Sequence, residues 1–264
     1  MAERLVTCHR KWIMVTCAEL TAHWDQAIGG FLGAGPAVPP DDRRMRSWFE
    51  SYRGRGRGAV NLAALPEPYL GTLDHRPVGV FLGLHPGEAD LDFQGRSGLF
   101  ADEIRRHGTY SAWAATWPYL GDPWVARKPT NRYLISRLKF LRTWTGQSTL
   151  TADAMVAFEL YPWHIAKMTA PMQPDPEVVR EFIWQPIREL GAPVFAFGKP
   201  WFDLLEDGLD LQVVDRLGAG ERRYRTKAPT RRVLVLRGED GPVVIVEWHV
   251  GCRPAASLRN PGPP

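Results

Sequence analysis

Four short apolar runs most constrain what this chain can fold into: Val78–Leu82, Ala154–Leu160, Val194–Phe197 and Val243–Trp248. Each has the length of a buried strand. Between them lie stretches with helical spacing or helix signals, at Ala101–His107, Asn131–Trp144, Asp175–Leu190 and Trp201–Leu205. Short apolar strands alternating with helices predict an α/β fold of three layers, α/β/α. Its central, mostly parallel sheet should have four strands and helices on both faces. A further apolar run, Val233–Leu236, enters the last strand through a hairpin turn at Gly238-Glu239-Asp240-Gly241. No internal repeat is visible.

The first run stops abruptly at Gly83-Leu84-His85-Pro86-Gly87, and Glu88, Asp90 and Asp92 follow closely. Pro86 biases His85 away from helix, and Gly87 permits a sharp turn or a close backbone approach. A strand that ends in a loop carrying a histidine, carboxylates and an aromatic is where α/β sheets place their chemistry. The last run empties into a second distinctive segment, Arg253-Pro254-Ala255-Ala256-Ser257-Leu258-Arg259-Asn260-Pro261.

Ahead of the first strand, apolar residues from Trp12 to Leu32 recur at helical spacing, and a proline-rich connector follows at 36–40. Arg43, Arg44 and Arg46 come next, then Arg53-Gly54-Arg55-Gly56-Arg57-Gly58, with Trp48, Phe49 and Tyr52 interleaved. Arginine with aromatics suits phosphate contact and base stacking. This stretch reads as a flexible basic arm, or equally as a solvated loop joining a helix to the domain. Residues 1–70 are thus expected to be a helical extension with a basic arm, and 71–264 the catalytic domain.

The composition is that of a globular protein, 44% hydrophobic and 23% charged. A net charge of +4 is compatible with a polyanionic partner without demanding one. No apolar run reaches the ~20 residues a membrane span requires. Met1–Trp24 lacks the apolar core and cleavage site of a signal peptide, so a cytoplasmic monomer without membrane contact is expected. Cys8, Cys17 and Cys252 are three and widely spaced, which argues against a disulfide framework.

The stretch Gly83-Leu84-His85-Pro86-Gly87 resembles the first motif of the uracil-DNA glycosylase superfamily. There a strand ends in G-x-[D/N]-P-[Y/G], or in G-E-A-P-G in the iron–sulfur branch. Gln94-Gly95-Arg96 is similar to the Q-G-R-P-F of that branch, and Arg253–Pro261 to its late H-P-A-A-L-L-R-N-P. The resemblance spans residues 75–264. Three cysteines cannot supply the four thiolates a cluster usually takes, so no metal or other cofactor is expected.

The resemblance implies a DNA glycosylase that flips a base out of the helix, hydrolyses its N-glycosidic bond and leaves an abasic site. It implies that Phe100 stacks on the flipped base and that Gly83 and Gly87 shape the base pocket. His85 stands where the family has the Asp or Asn that activates water or supports a cationic sugar. It must therefore be neutral to orient water, and Asp90 and Asp92, with Glu88, could supply the missing negative charge. Arg253 replaces the histidine that faces the leaving base. Leu258 takes the wedge position, Arg259 a phosphate contact, and Arg53, Arg55 and Arg57 the further DNA contacts.

Glu159 falls near the position of a base-reading asparagine. A carboxylate accepts hydrogen bonds and cannot donate unless protonated, which suits a base with an exocyclic amine. A modified cytosine of phage DNA, hydroxymethylated or glucosylated, fits that expectation and suggests antiviral defence. The aromatic segment Trp113–Trp124 would then shape a roomier pocket. The alternatives are a repair glycosylase for uracil or another deaminated base, a catalytically decayed DNA-binding module, and a hydrolase of free nucleosides.

Overall fold

The computed structural model describes residues 15–38, 42–209, 211–217, 231–238 and 241–249. Arg253, Leu258 and Arg259 therefore lie outside the described residues, as do Cys8, Cys252 and the basic run at 222–230. Among the described residues no helix is long and apolar enough to cross a membrane.

The strands are β1 (Tyr69–Leu70), β2 (Gly79–Gly83), β3 (Met155–Glu159), β4 (Val194–Phe197), β5 (Gln212–Leu217), β6 (Arg231–Arg237) and β7 (Val243–His249). They form one sheet in the order β1-β3-β2-β4-β7-β6-β5. The four strands expected from the sequence lie side by side and parallel at its centre, β3-β2-β4-β7. The sheet does not stop at four, however. Strand β1 adds antiparallel to β3 at one edge, and the β6–β7 hairpin and β5 extend the other edge antiparallel. The sheet is thus mixed and seven-stranded. Composition hides the additions, because β1 has two residues and β5 carries Gln212, Asp215 and Arg216 among its apolar positions.

The helices are α1 (Cys17–Leu32), α2 (Arg43–Glu50), α3 (Leu91–Gln94), α4 (Leu99–His107), α5 (Tyr110–Ala114), α6 (Trp124–Arg127), α7 (Arg132–Thr145), α8 (Pro176–Val179), α9 (Gln185–Leu190) and α10 (Lys199–Asp207). A π-helical turn at Arg180–Trp184 joins α8 to α9. Pro186 has no N–H to give the preceding turn, and the wider turn absorbs the break without ending the helix.

The first seventy residues do not stand apart from the rest. In α1 a capping box between Thr16 and Glu19 starts the helix, and Leu20, Trp24, Ile28 and Phe31 form one buried stripe. In α2 the stripe is Met45, Trp48 and then Tyr52, while Arg43, Arg44, Arg46 and Arg53 are exposed, Arg44 pairing with Glu181 and lying over the Phe182 ring. The indole of Trp48 donates to the Leu160 carbonyl at 2.8 Å, and that of Trp163 to the Ala37 carbonyl at 2.9 Å. Arg96 donates to the Gly35 carbonyl at 2.6 Å and lies over the Phe31 ring, so the Gln94-Gly95-Arg96 motif anchors α1. Cys17 is buried, and its thiol is pushed up to about 12 by burial and by the Glu189 carboxylate.

The arginine-glycine stretch is a pinned turn and not a flexible arm. Gly56 adopts φ +58°, and any side chain on Gly54 or Gly58 would collide with Tyr52 or Thr169. The Arg55 amide donates to Thr169 Oγ1 at 3.3 Å, and the Tyr52 hydroxyl accepts from the Thr169 amide at 3.1 Å. Trp48 and Tyr52 serve the core, so they offer no stacking surface to a nucleic acid.

A cavity at the carboxyl end of the parallel strands

The loops after β2, β3 and β4 meet at the carboxyl ends of the strands. The Gly83 carbonyl accepts from the Leu160 amide at 3.1 Å and from the Trp201 indole at 2.5 Å. Leu84 and Gly87 accept from Tyr161 and Ile165 at 3.0 Å each. Gly87 turns the chain with φ +96°, a conformation that strains other residues. The Gly83–Gly87 turn is thereby locked on both flanks.

In a parallel sheet, residues paired in register share a face. Gly83 pairs with Glu159, and Phe197 pairs with Glu247. The β2–β4 register continues that row, which reads Glu159, Gly83, Phe197, Glu247 across the end of the sheet. Helix α7 covers it. Arg137, only 1% exposed, lies between the rings of Tyr133 and Phe197, 4.2 and 3.9 Å from their centroids. The sequence places Arg137 on an amphipathic surface helix; its position on the apolar stripe with Leu134, Leu138 and Leu141 buries it instead. Its guanidinium nitrogens have no hydrogen-bond partner.

Beside this row opens a cavity of about 210 Å³. Glu159 and Ala157 of β3 line it, with Tyr69 and Leu70 of β1, and Asn131, Tyr133 and Leu134 at the start of α7. Pro86 and Glu88 contribute from the turn after β2, and Glu67, Gln94, Tyr119 and Trp124 complete the wall. Gly83 must be glycine because a Cβ there would overlap the Glu159 carboxylate and the Tyr133 hydroxyl.

The carboxyl group of Glu159 is pushed up to about 8, first by burial and then by the nearby charge of Glu67, against a weaker downward pull from Arg137. Its Oε2 is shielded from solvent and accepts no hydrogen bond. At neutral pH Glu159 is therefore mostly the neutral acid, able to donate as well as accept. Glu159 is thus not the pure acceptor that its sequence position suggests. A buried network continues behind it. Gln94 donates to the Tyr119 hydroxyl at 2.7 Å, which donates to Glu67, and His164 Nε2 lies 3.4 Å from the same Glu67 oxygen.

Several site expectations change on this geometry. His85 is held neutral, its ring pushed down to about 4 by burial and by the proximity of His164. Its Nδ1 accepts from the Gly87 amide at 3.0 Å, which leaves the proton on Nε2, a donor and not a base. His85 is not among the residues that line the cavity. Asp90 caps α3 through the Asp92 amide and pairs with Lys128, which holds its carboxyl below the usual range. Asp92 is exposed on α3, and neither aspartate lines the cavity. Of the three carboxylates after the turn, Glu88 does so.

Phe100 is fully buried behind the wall, packed against Phe93, Trp113 and Tyr119, and stacked at 6.0 Å on Trp124. Its place in α4 turns it into the core, and Trp124 and Tyr119 supply the aromatic wall. Trp113 and Trp117 are likewise core residues, so the expected aromatic lid reduces to its last members. Arg53, Arg55 and Arg57 are exposed and none lines the cavity. Glu67, Asn131 and Tyr133 carry no motif that would single them out. Among the described residues no group of three or more His, Cys, Asp or Glu could hold a metal ion.

No protein family, curated protein or solved structure matches the chain.

Proposed function

We propose that this chain is a DNA glycosylase, hydrolysing the bond between C1′ of a deoxyribose and an extruded base. The observation that carries the reading is the small cavity at the carboxyl end of the parallel strands, lined by aromatics and by Glu159. Pro86 and Glu88 of its lining belong to the turn that resembles the first glycosylase motif. Pockets for drug-sized ligands run to roughly 300–1,000 Å³, so about 210 Å³ suits a single heterocyclic base. The same size disfavours a glucosylated cytosine, whose sugar would need room of its own.

In this reading Trp124 and Tyr119 bound the ring of the base. Glu159 and the Asn131 amide meet its polar edge; the Asn131 carbonyl oxygen is already committed to capping α7. Glu88, next to the sharp turn at Gly87, orients the attacking water and offsets positive charge on the sugar. The exposed arginines 53, 55 and 57 hold backbone phosphates outside the cavity.

The test is duplex and single-stranded DNA carrying uracil, hypoxanthine, 5-hydroxymethylcytosine or N-methylated bases, scored by alkaline strand cleavage at abasic sites. Cleavage above an enzyme-free control, reduced at least 100-fold by Glu88→Gln, is expected. Silence on every substrate would refute the proposal. DNA binding without base release would leave the decayed binding module in its place.

A further inference from the structure

The charge of the cavity narrows the substrate beyond base excision as such. Among the described residues Glu67, Glu88 and Glu159 all reach its lining, and no lysine, arginine or histidine does. The remaining polar groups are phenols, two amides and an indole, on Tyr69, Tyr119, Tyr133, Asn131, Gln94 and Trp124. Several of those groups are engaged by the protein: Gln94 accepts from the Asp90 amide and donates to Tyr119, Tyr119 donates to Glu67, and the Asn131 carbonyl oxygen caps α7. Glu159, by contrast, is half-buried on the cavity lining, and its shielded Oε2 accepts no hydrogen bond from the protein. The nearest buried cation, Arg137, lies beyond Tyr133 against Phe197 and does not line the space. Electron-rich aromatic rings together with the Glu67 and Glu88 carboxylates form the environment that attracts an organic cation, and a cation seated beside Glu159 draws that acid into its ionised form, which glutamine cannot adopt.

From this cavity, and resting on the glycosylase reading above, we infer that the excised base carries a formal positive charge, as an N-methylated purine does. The chemistry of departure favours the same choice. When water adds to C1′, the electron pair of the C1′–N bond passes to the ring of the leaving base, and water's proton passes to Glu88. A neutral base would leave as an anion among carboxylates unless it were protonated. A cationic base leaves neutral, since the incoming pair cancels its charge, and the reaction then needs no cation in the cavity. The resting attraction also supplies selection, because unmodified bases carry no such charge and are far more numerous in DNA.

The experiment compares DNA treated with dimethyl sulfate, which carries 7-methylguanine and 3-methyladenine, with uracil-containing and hydroxymethylated DNA of the same length. Released bases are quantified by mass spectrometry against enzyme-free controls, because methylated purines also depart spontaneously. The expected result is release of methylated purines at least 10-fold above the spontaneous rate and at least 10-fold above release of uracil. Glu159→Gln and Glu67→Gln should each lower release of the methylated bases by 10-fold or more, while circular dichroism shows both variants folded. Release of uracil or hydroxymethylcytosine with none of the methylated purines overturns this inference and keeps the glycosylase reading. Release of nothing from any DNA overturns both. Equal release of methylated bases by wild type and both variants also overturns it, because the carboxylates would then play no part in selection.

Discussion

Replacing Glu159 by glutamine isolates the cost of placing a carboxyl group at the end of β3. The glutamine amide has the shape of the neutral acid and cannot ionise. In the folded chain Glu159 holds its proton up to about pH 8, against an ordinary value of 4.5. The folded state therefore binds more protons than the unfolded chain between those two values. Stability contributed this way is fully present below about pH 4.5 and is lost progressively as pH rises to about 8, with no further change above. At 1.36 kcal/mol per tenfold change in proton affinity, the full difference approaches about 5 kcal/mol. Part of the side chain faces the open cavity, where water relieves the ionised form, so about 2–4 kcal/mol is the better expectation. Urea unfolding of wild type and Glu159→Gln at about pH 5 and about pH 8.5 measures the difference directly. The variant should gain on wild type by about 2–4 kcal/mol between the two conditions. If the two proteins keep a constant offset across that range, Glu159 ionises normally and the account of its burial is wrong.

Arg137 pulls Glu159 toward ionisation, so Arg137→Met should move the midpoint of that pH dependence higher. Because the guanidinium is buried without hydrogen-bond partners, methionine should cost little, with stability at about pH 5 unchanged or raised by about 1–3 kcal/mol. Loss of more than about 2 kcal/mol there would mean that the two flanking rings hold the cation more strongly than this reasoning allows. Gly83→Ala should cost about 1–3 kcal/mol in denaturant unfolding, because its methyl group displaces Glu159 and Tyr133. A neutral outcome would show that both side chains swing clear. Trp48→Ala should cost about 3–5 kcal/mol and Trp48→Phe less, since the latter loses mainly the hydrogen bond to Leu160. Changing Arg53, Arg55 and Arg57 together to alanine should leave stability within about 0.5 kcal/mol and lower the salt slope of DNA binding by up to ~0.9 per lost phosphate contact. An unchanged slope, measured by anisotropy titration over a range of salt, would remove these residues from the interface.

The sequence by itself determined the centre of this protein. Apolar runs of four to seven residues, too short for buried helices and alternating with helical stretches, read as inner strands, and the structure holds them as β2, β3, β4 and β7, parallel and adjacent. Gly87 was legible too, because a proline followed by glycine after a strand demands a turn that only glycine adopts without strain. What the tertiary structure decided is which polar residues meet. Glu67, Glu88, Asn131 and Glu159 lie far apart in the chain and reach one cavity only because β1, β2, β3 and α7 converge there. Helical spacing could show that Phe100, Trp48 and Arg137 share faces with apolar neighbours, but not which face would be covered. All three are buried because another layer packs over them. The proton on Glu159 follows from the same cause: a glutamate at a strand end is an ordinary acid until α7 and Glu67 close around it.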